Sequence, residues 1–107
     1  MDRDFLNEIW LQFVTEAMEH CVSSEDLLLD TEFNDSEAIK IDSLFRAFHS
    51  LKGLFGTVGL NQTLELTHLI EDVIDKIRSL EITLNSQIRA VLLKGIDVLK
   101  NIIAVSY

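Results

Sequence analysis

The feature that most constrains this chain is a helical apolar rhythm that runs through four segments and is broken by no proline. Proline would remove a backbone donor from a helix interior, so its absence leaves every segment free to stay helical. In the first segment, from about Asp4 to Leu29, Phe5, Ile9, Phe13, Ala17 and Cys21 recur every fourth residue, the spacing that lays side chains on one helix face. The second segment carries Ile41, Leu44, Phe45, Phe48, Leu51, Phe55 and Val58, and the third Leu66, Leu69, Ile70, Val73, Ile74 and Ile77. The fourth presents Ile88, Val91, Leu92, Ile96, Leu99 and Ile103.

The breaks between segments are short and chemically marked. In DTEFNDSE, Asn34, Asp35 and Ser36 are good N-cap residues, and Glu37 follows Asn34 by three as in a capping box, so the second helix is expected to start near Ser36. Gly59 suits the left-handed residue that ends a helix, and Asn61 is placed to cap the next. SLEITLNS separates the third segment from the fourth. Four helices with short connections predict an all-α, antiparallel up-down four-helix bundle, built as one domain over residues 1–107.

Composition excludes several functions. Hydrophobic residues make up 48% and charged residues 25%, which is too apolar for a disordered chain. Eighteen acidic against nine basic residues give a net charge of −9, which repels a nucleic-acid backbone and an anionic membrane surface alike. No apolar run approaches the roughly 18 residues that span a bilayer, and MDRDFLNEIW lacks the basic-then-apolar layout of a signal peptide. The expectation is a cytoplasmic protein with no membrane insertion and no nucleic-acid partner. Cys21 is the single cysteine and reads as a small core residue, with Trp10, Phe48 and Phe55 in the core or at its edge.

Catalytic motifs of the common kinds are absent. GxxxxGK[ST] is missing, so the domain by itself is expected to bind no ATP. One cysteine and three scattered histidines give no metal-ligand spacing, and no GxSxG occurs, so neither a metal nor a cofactor is expected.

What remains is FHSLKGLFGTVGL, residues 48–60, which holds three of the chain's four glycines, Gly53, Gly56 and Gly59. A glycine inside a helix costs about 1 kcal/mol relative to alanine. His49 lies about 100° from Phe48, the middle of the apolar stripe, and so sits where core meets water. Lys52, Gly53 and Gly56 follow it at spacings of three, four and seven and share its flank. The two glycines would remove bulk beside the imidazole so that another protein can come close, and Lys52 would bring a positive charge near an anion on the ring. On the third segment, THLIED places His68 and Glu71 three apart. An antiparallel hairpin could set Glu71 beside His49, where a carboxylate fixes the tautomer and turns the other nitrogen's lone pair outward, as a phosphoryl-accepting histidine needs. His68 fits either that site or a local surface pair with Glu71. His20 reads as surface.

The segment LFRAFHSLKGLFGTVGL resembles the signature of histidine phosphotransfer (Hpt) domains, and with LTHLIEDVIDKIR and FVTEAMEH it is similar to the amino-terminal phosphotransfer domain of CheA-type chemotaxis histidine kinases. The resemblance implies a phosphoryl carrier of a two-component signalling system. His49 would take the γ-phosphoryl group of ATP from a separate histidine kinase catalytic domain and pass it to an aspartate on a response regulator receiver domain. It also implies that Lys52, His68 and Glu71 are the polar residues around His49, with Glu71 holding the unphosphorylated nitrogen, and that Gly53 opens the site.

The chain departs from the family pattern at Phe48, Leu54 and Phe55, where smaller residues are usual, and at Leu80, which stands before Glu81 where a glycine is common. The first three bear on packing and partner choice, and Leu80 on the shape of its loop. A free-standing relay protein fits the same residues as the first domain of a larger kinase. Two other readings are the dimerising phosphoacceptor domain of a sensor kinase, disfavoured because Ser50 and not an acidic residue follows His49, and a helical interaction module without chemistry.

Overall fold

Two of the four helices start on a side-chain cap and two end in a left-handed turn. The computed structural model describes residues 2–30, 32, 34 and 37–106. Helix α1 spans Arg3–Leu29, α2 Ala38–Thr57, α3 Asn61–Arg78 and α4 Ser86–Ser106, with no strand among the described residues. Asp2 caps α1 by accepting from the Asp4 amide at 3.1 Å. Asn85 does the same for α4, accepting from the Ile88 amide at 2.8 Å.

The start of α2 differs from the expected capping box. Its N-cap is Glu37, with no side-chain cap, and the helix begins at Ala38. The Glu37 carboxylate is drawn to Lys40 at 2.9 Å, while the Asn34 amide donates to the Glu32 carbonyl at 3.1 Å. With the helix starting at Ala38, Glu37 stands at the N-cap itself and not at the third helical position that a capping box from Asn34 requires. Asp35 and Ser36 lie outside the described residues. Asn61 is also not a cap: it is the first residue of α3, and Leu60 stands before it as the N-cap.

Two helix ends close in the same way. After α2, Gly59 takes φ 78°, the Leu60 amide reaches the Phe55 carbonyl at 3.1 Å, and the Gly59 amide reaches Gly56 at 3.3 Å. These are the paired bonds of a Schellman motif, which needs a left-handed residue at its corner. After α3 the same bonds run from Glu81 to Lys76 at 2.9 Å and from Leu80 to Ile77 at 3.1 Å. There the left-handed corner, φ 64°, is Leu80. The loop that this leucine put in question is thus a left-handed turn made without glycine.

The helices form an antiparallel up-down bundle of 49 × 21 × 21 Å, in which α2 and α3 pair most extensively and α3 and α4 least. Its core holds Phe13, Ala17, Cys21 and Leu28 of α1, Ile41, Leu44, Phe48, Leu51 and Phe55 of α2, Ile70, Ile74 and Ile77 of α3, and Leu92, Ile96, Leu99 and Ile103 of α4. Phe48 and Phe55, bulky for their positions, are fully buried. Trp10 is half-buried at the core edge, its indole N–H donating to the Ser106 carbonyl at 2.6 Å. Burial pushes the Cys21 thiol up to about 12, so it behaves as an apolar filler.

Four residues of the expected apolar faces are exposed. Phe5 and Ile9 remain 49% and 45% exposed, because α1 is the longest helix and its first two turns run past Ser106, which lies level with Trp10. Leu69 and Val91 stay at the surface because the sparse α3–α4 pairing does not cover the outer edges of both stripes. Where those helices do meet, Gly95 faces Ile70: a methyl there would stand 2.7 Å from Ile70 Cδ1. Arg89 ties the bundle end together by donating to the Leu28 carbonyl at 2.8 Å.

Candidate functional site

The α2–α3 hairpin sets one flank of each helix against the other. Along α2 this flank carries Asp42, Phe45, His49 and Lys52, and along α3 it carries Glu71, Asp75 and Arg78, all at spacings that stack on one helix face. Since the pair is antiparallel, the start of α2 meets the end of α3. Arg78 accordingly reaches Asp42 at 3.4 Å, while Glu71, nearer the middle of α3, faces His49 and Lys52.

Glu71 is the centre of the group. Its carboxylate is nearly buried, with a side chain 8% exposed, and its two oxygens are divided between partners. Oε1 accepts from Lys52 Nζ at 2.8 Å, and Oε2 lies 3.2 Å from His49 Nδ1. A carboxylate at Nδ1 favours the tautomer with the proton on that nitrogen and leaves the lone pair on Nε2. The His49 side chain is 65% exposed, so that lone pair opens to solvent. The arrangement is a nucleophilic nitrogen at the surface, held from behind by a buried carboxylate that a lysine in turn holds.

Other candidate residues sit as follows. Gly53, one turn beyond His49, is exposed, and a methyl added there would meet no atom within 4 Å. Gly56 borders α3 instead of the imidazole: a methyl there would lie 3.9 Å from a Leu64 methyl, an ordinary contact. The His68–Glu71 pair suggested by their spacing does not form. His68 Nε2 turns to Asp72 Oδ1 at 3.5 Å, one turn further along the exposed face of α3, because Glu71 points inward to α2. His20 is half-buried on α1 and takes no part. Among the described residues no group of histidine, cysteine, aspartate and glutamate is placed to hold a metal ion.

Two participants were not singled out from the sequence. Phe45 stacks on the His49 imidazole with centroids 6.1 Å apart and planes 19° apart, and the Arg78 guanidinium lies 3.8 Å over the Phe45 ring. The Phe45–His49 spacing of four was legible, but Phe45 was absorbed into the apolar stripe. Arg78 carries no signal in the sequence, since only the hairpin register brings it to α2.

The family model described as the Hpt domain matches residues 8–102. The chain is 37% identical over 87 residues to the chemotaxis protein CheA of Halobacterium salinarum, an alignment covering 79% of this chain and 13% of that protein. The chain therefore spans only a small part of that relative's length. Among solved structures, the CheA phosphotransferase domain from Thermotoga maritima is 33% identical with a TM-score of 0.84, covering 91% of this chain and 92% of that one. The phosphorylated P1 domain of CheA3 in complex with CheY6 from R. sphaeroides is 28% identical with a TM-score of 0.83, covering 91% of this chain and 76% of that one.

Proposed function

The chain belongs to the Hpt domain family, and from that premise we propose that it is the phosphoryl carrier of a two-component system, with His49 as the acceptor. The observation that carries this is the polarity of His49: Nδ1 held by a buried carboxylate, Nε2 open to a partner.

The chemistry follows from that polarity. Nε2 attacks the γ-phosphorus of ATP held by a histidine kinase catalytic domain, the bond from that phosphorus to the bridging oxygen breaks, and ADP departs with the electron pair. The proton on Nδ1 stays against Glu71, whose negative charge offsets the positive charge that the ring gains. In the second half, a carboxylate oxygen of a receiver aspartate attacks the same phosphorus and the P–N bond breaks, returning the lone pair to Nε2. Such transfers depend chiefly on in-line positioning. Lys52 serves by orienting Glu71, and the open space at Gly53 lets the receiver bring its aspartate into line. His68, bound to Asp72, takes no step in this scheme.

The similarity to CheA proteins supports a place at the start of a larger CheA-type chemotaxis kinase in the cytoplasm, and the R. sphaeroides complex with CheY6 supports a receiver domain as partner. No helix is long and apolar enough to cross a membrane among the described residues. The test is to incubate the chain with a CheA-type kinase core and labelled ATP. Acid-labile label that disappears in His49→Gln is expected; label that survives acid, or persists in that variant, overturns the assignment.

A further inference from the structure

A ring held by one hydrogen bond is not yet aimed. The Nδ1 contact to Glu71 fixes one point of the His49 imidazole, but the ring can still rock about the line from Nδ1 to Oε2, sweeping Nε2 through an arc. A second contact, made by an offset ring beside the imidazole, restricts that freedom. The Phe45 ring supplies it, near-parallel at 19° and 6.1 Å between centroids. Phe45 sits four residues before His49 on the same helix, so the two rings stack along the α2 flank.

Phe45 is itself braced. The Arg78 guanidinium lies 3.8 Å over its ring, and Arg78 is tied to Asp75 at 2.8 Å and to Asp42 at 3.4 Å. A planar cation is suited to lie flat on an aromatic face while its N–H groups reach sideways to carboxylates. The brace therefore spans both helices: Asp42 and Phe45 come from α2, Asp75 and Arg78 from α3. It adjoins the Glu71 group through the contact of Phe45 with His49.

We infer that Phe45, braced by Arg78, is a positioning residue that sets the tilt of the His49 ring and so the direction of the Nε2 lone pair. This rests on His49 being the phosphoryl acceptor. An aromatic pair of this kind shifts the population of the aligned ring by about 2- to 10-fold, and the rate of a reaction that needs in-line attack should follow it.

The test compares Phe45→Leu, which keeps apolar bulk without a flat face, with Phe45→Tyr, which restores the face. Each is phosphorylated by a CheA-type kinase core, and separately by phosphoramidate, a small donor whose P–N bond breaks as the P–Nε2 bond forms and ammonia leaves. Expected for Phe45→Leu is a fall of about 2- to 10-fold in kcat with KM for the domain unchanged. A matching fall with phosphoramidate is expected, as is recovery in Phe45→Tyr. The imidazole ¹⁵N signals of His49 should keep the Nδ1–H tautomer in Phe45→Leu, because Glu71 still holds Nδ1 and only the tilt of the ring is released.

An unchanged rate in a folded Phe45→Leu, a change confined to KM, or a Phe45→Tyr as slow as Phe45→Leu overturns the inference. Should Phe45→Leu lose helicity, Arg78→Met decides, since it leaves both rings in place: an unchanged phosphoramidate rate there also overturns it. No label on the unsubstituted domain defeats the carrier assignment instead, an outcome distinct from all of these.

Discussion

Gly53→Gln separates the two reasons a helix can carry a glycine beside a reactive histidine. The helix should gain stability, because glycine is about 0.8–1 kcal/mol worse than alanine inside a helix and glutamine is close to alanine. The structure adds no opposing term, since a methyl at Gly53 meets nothing within 4 Å. For a domain of this size a gain of 0.5–1 kcal/mol raises Tm by about 2–8 °C. Function should move the other way. Residue 53 lies one turn, about 6 Å, past His49, and helical side chains lean toward the N-terminus, so the glutamine reaches back over the imidazole. It would then stand where a receiver must bring its aspartate in line with phosphorus. A misplacement on the order of 1 Å can cost about 10²-fold, so transfer should slow by about 10- to 100-fold. The assay is rapid-quench transfer of label from the phosphorylated domain to a receiver, with a thermal melt of the same sample. A Tm that falls by the equivalent of the roughly 1–3 kcal/mol typical of overpacking would refute the open-space argument, and an unchanged transfer rate would refute the access argument.

Glu71→Ala should slow phosphorylation toward the lower end of the roughly 10²- to 10⁴-fold range for acid–base groups, because Glu71 holds the ring without moving its proton. Circular dichroism should show helicity retained, since Lys52 is free to turn to water, while His68→Ala in the same kinase assay should change the rate far less. Leu80→Gly should stabilise the fold by up to about 1 kcal/mol. It relieves a left-handed leucine costing about 1–2 kcal/mol, set against the roughly 0.5–1 kcal/mol of extra chain entropy that glycine loses, and Leu80 is 75% exposed, so little packing is lost; a lower denaturation midpoint would refute this. Cys21, raised from 9.0 to about 12, should resist alkylation in the folded protein below pH 9. The unfolded thiol ionises first, so its contribution to stability is fully present below pH 9 and is lost as pH rises from 9 to about 12; urea titrations at pH 8 and 10 check the sign.

Helix number, the residues of the central core and the placing of Gly53 one turn past His49 were legible in the sequence because they depend on periodicity, which is local, whereas Gly56 turned out to border Leu64 of α3. Phe13, Ala17 and Cys21 repeat every four residues and are buried; Phe48 centres its stripe and is fully buried. Gly59 announced its own left-handed turn. Features that depend on what a neighbouring helix does were not legible. Phe5 and Ile9 continue the same repeat but run past the end of α4, and Leu69 and Val91 lie where α3 and α4 barely pair. Glu37 matches a capping box by spacing, yet Lys40 claims its carboxylate. At the site, sequence spacing suggested two partners for Glu71, His49 across the hairpin and His68 along its own helix. A carboxylate turned inward toward α2 cannot also face the outer side of α3, so the fold brought it to His49 and left His68 to Asp72. Arg78 over Phe45 is the clearest case of what tertiary structure alone decided. Residues 33 positions apart have no fixed angular relation along the chain, and only the hairpin register, set by the tight turn at Gly59 and the antiparallel packing of α2 on α3, brings the cation to the ring.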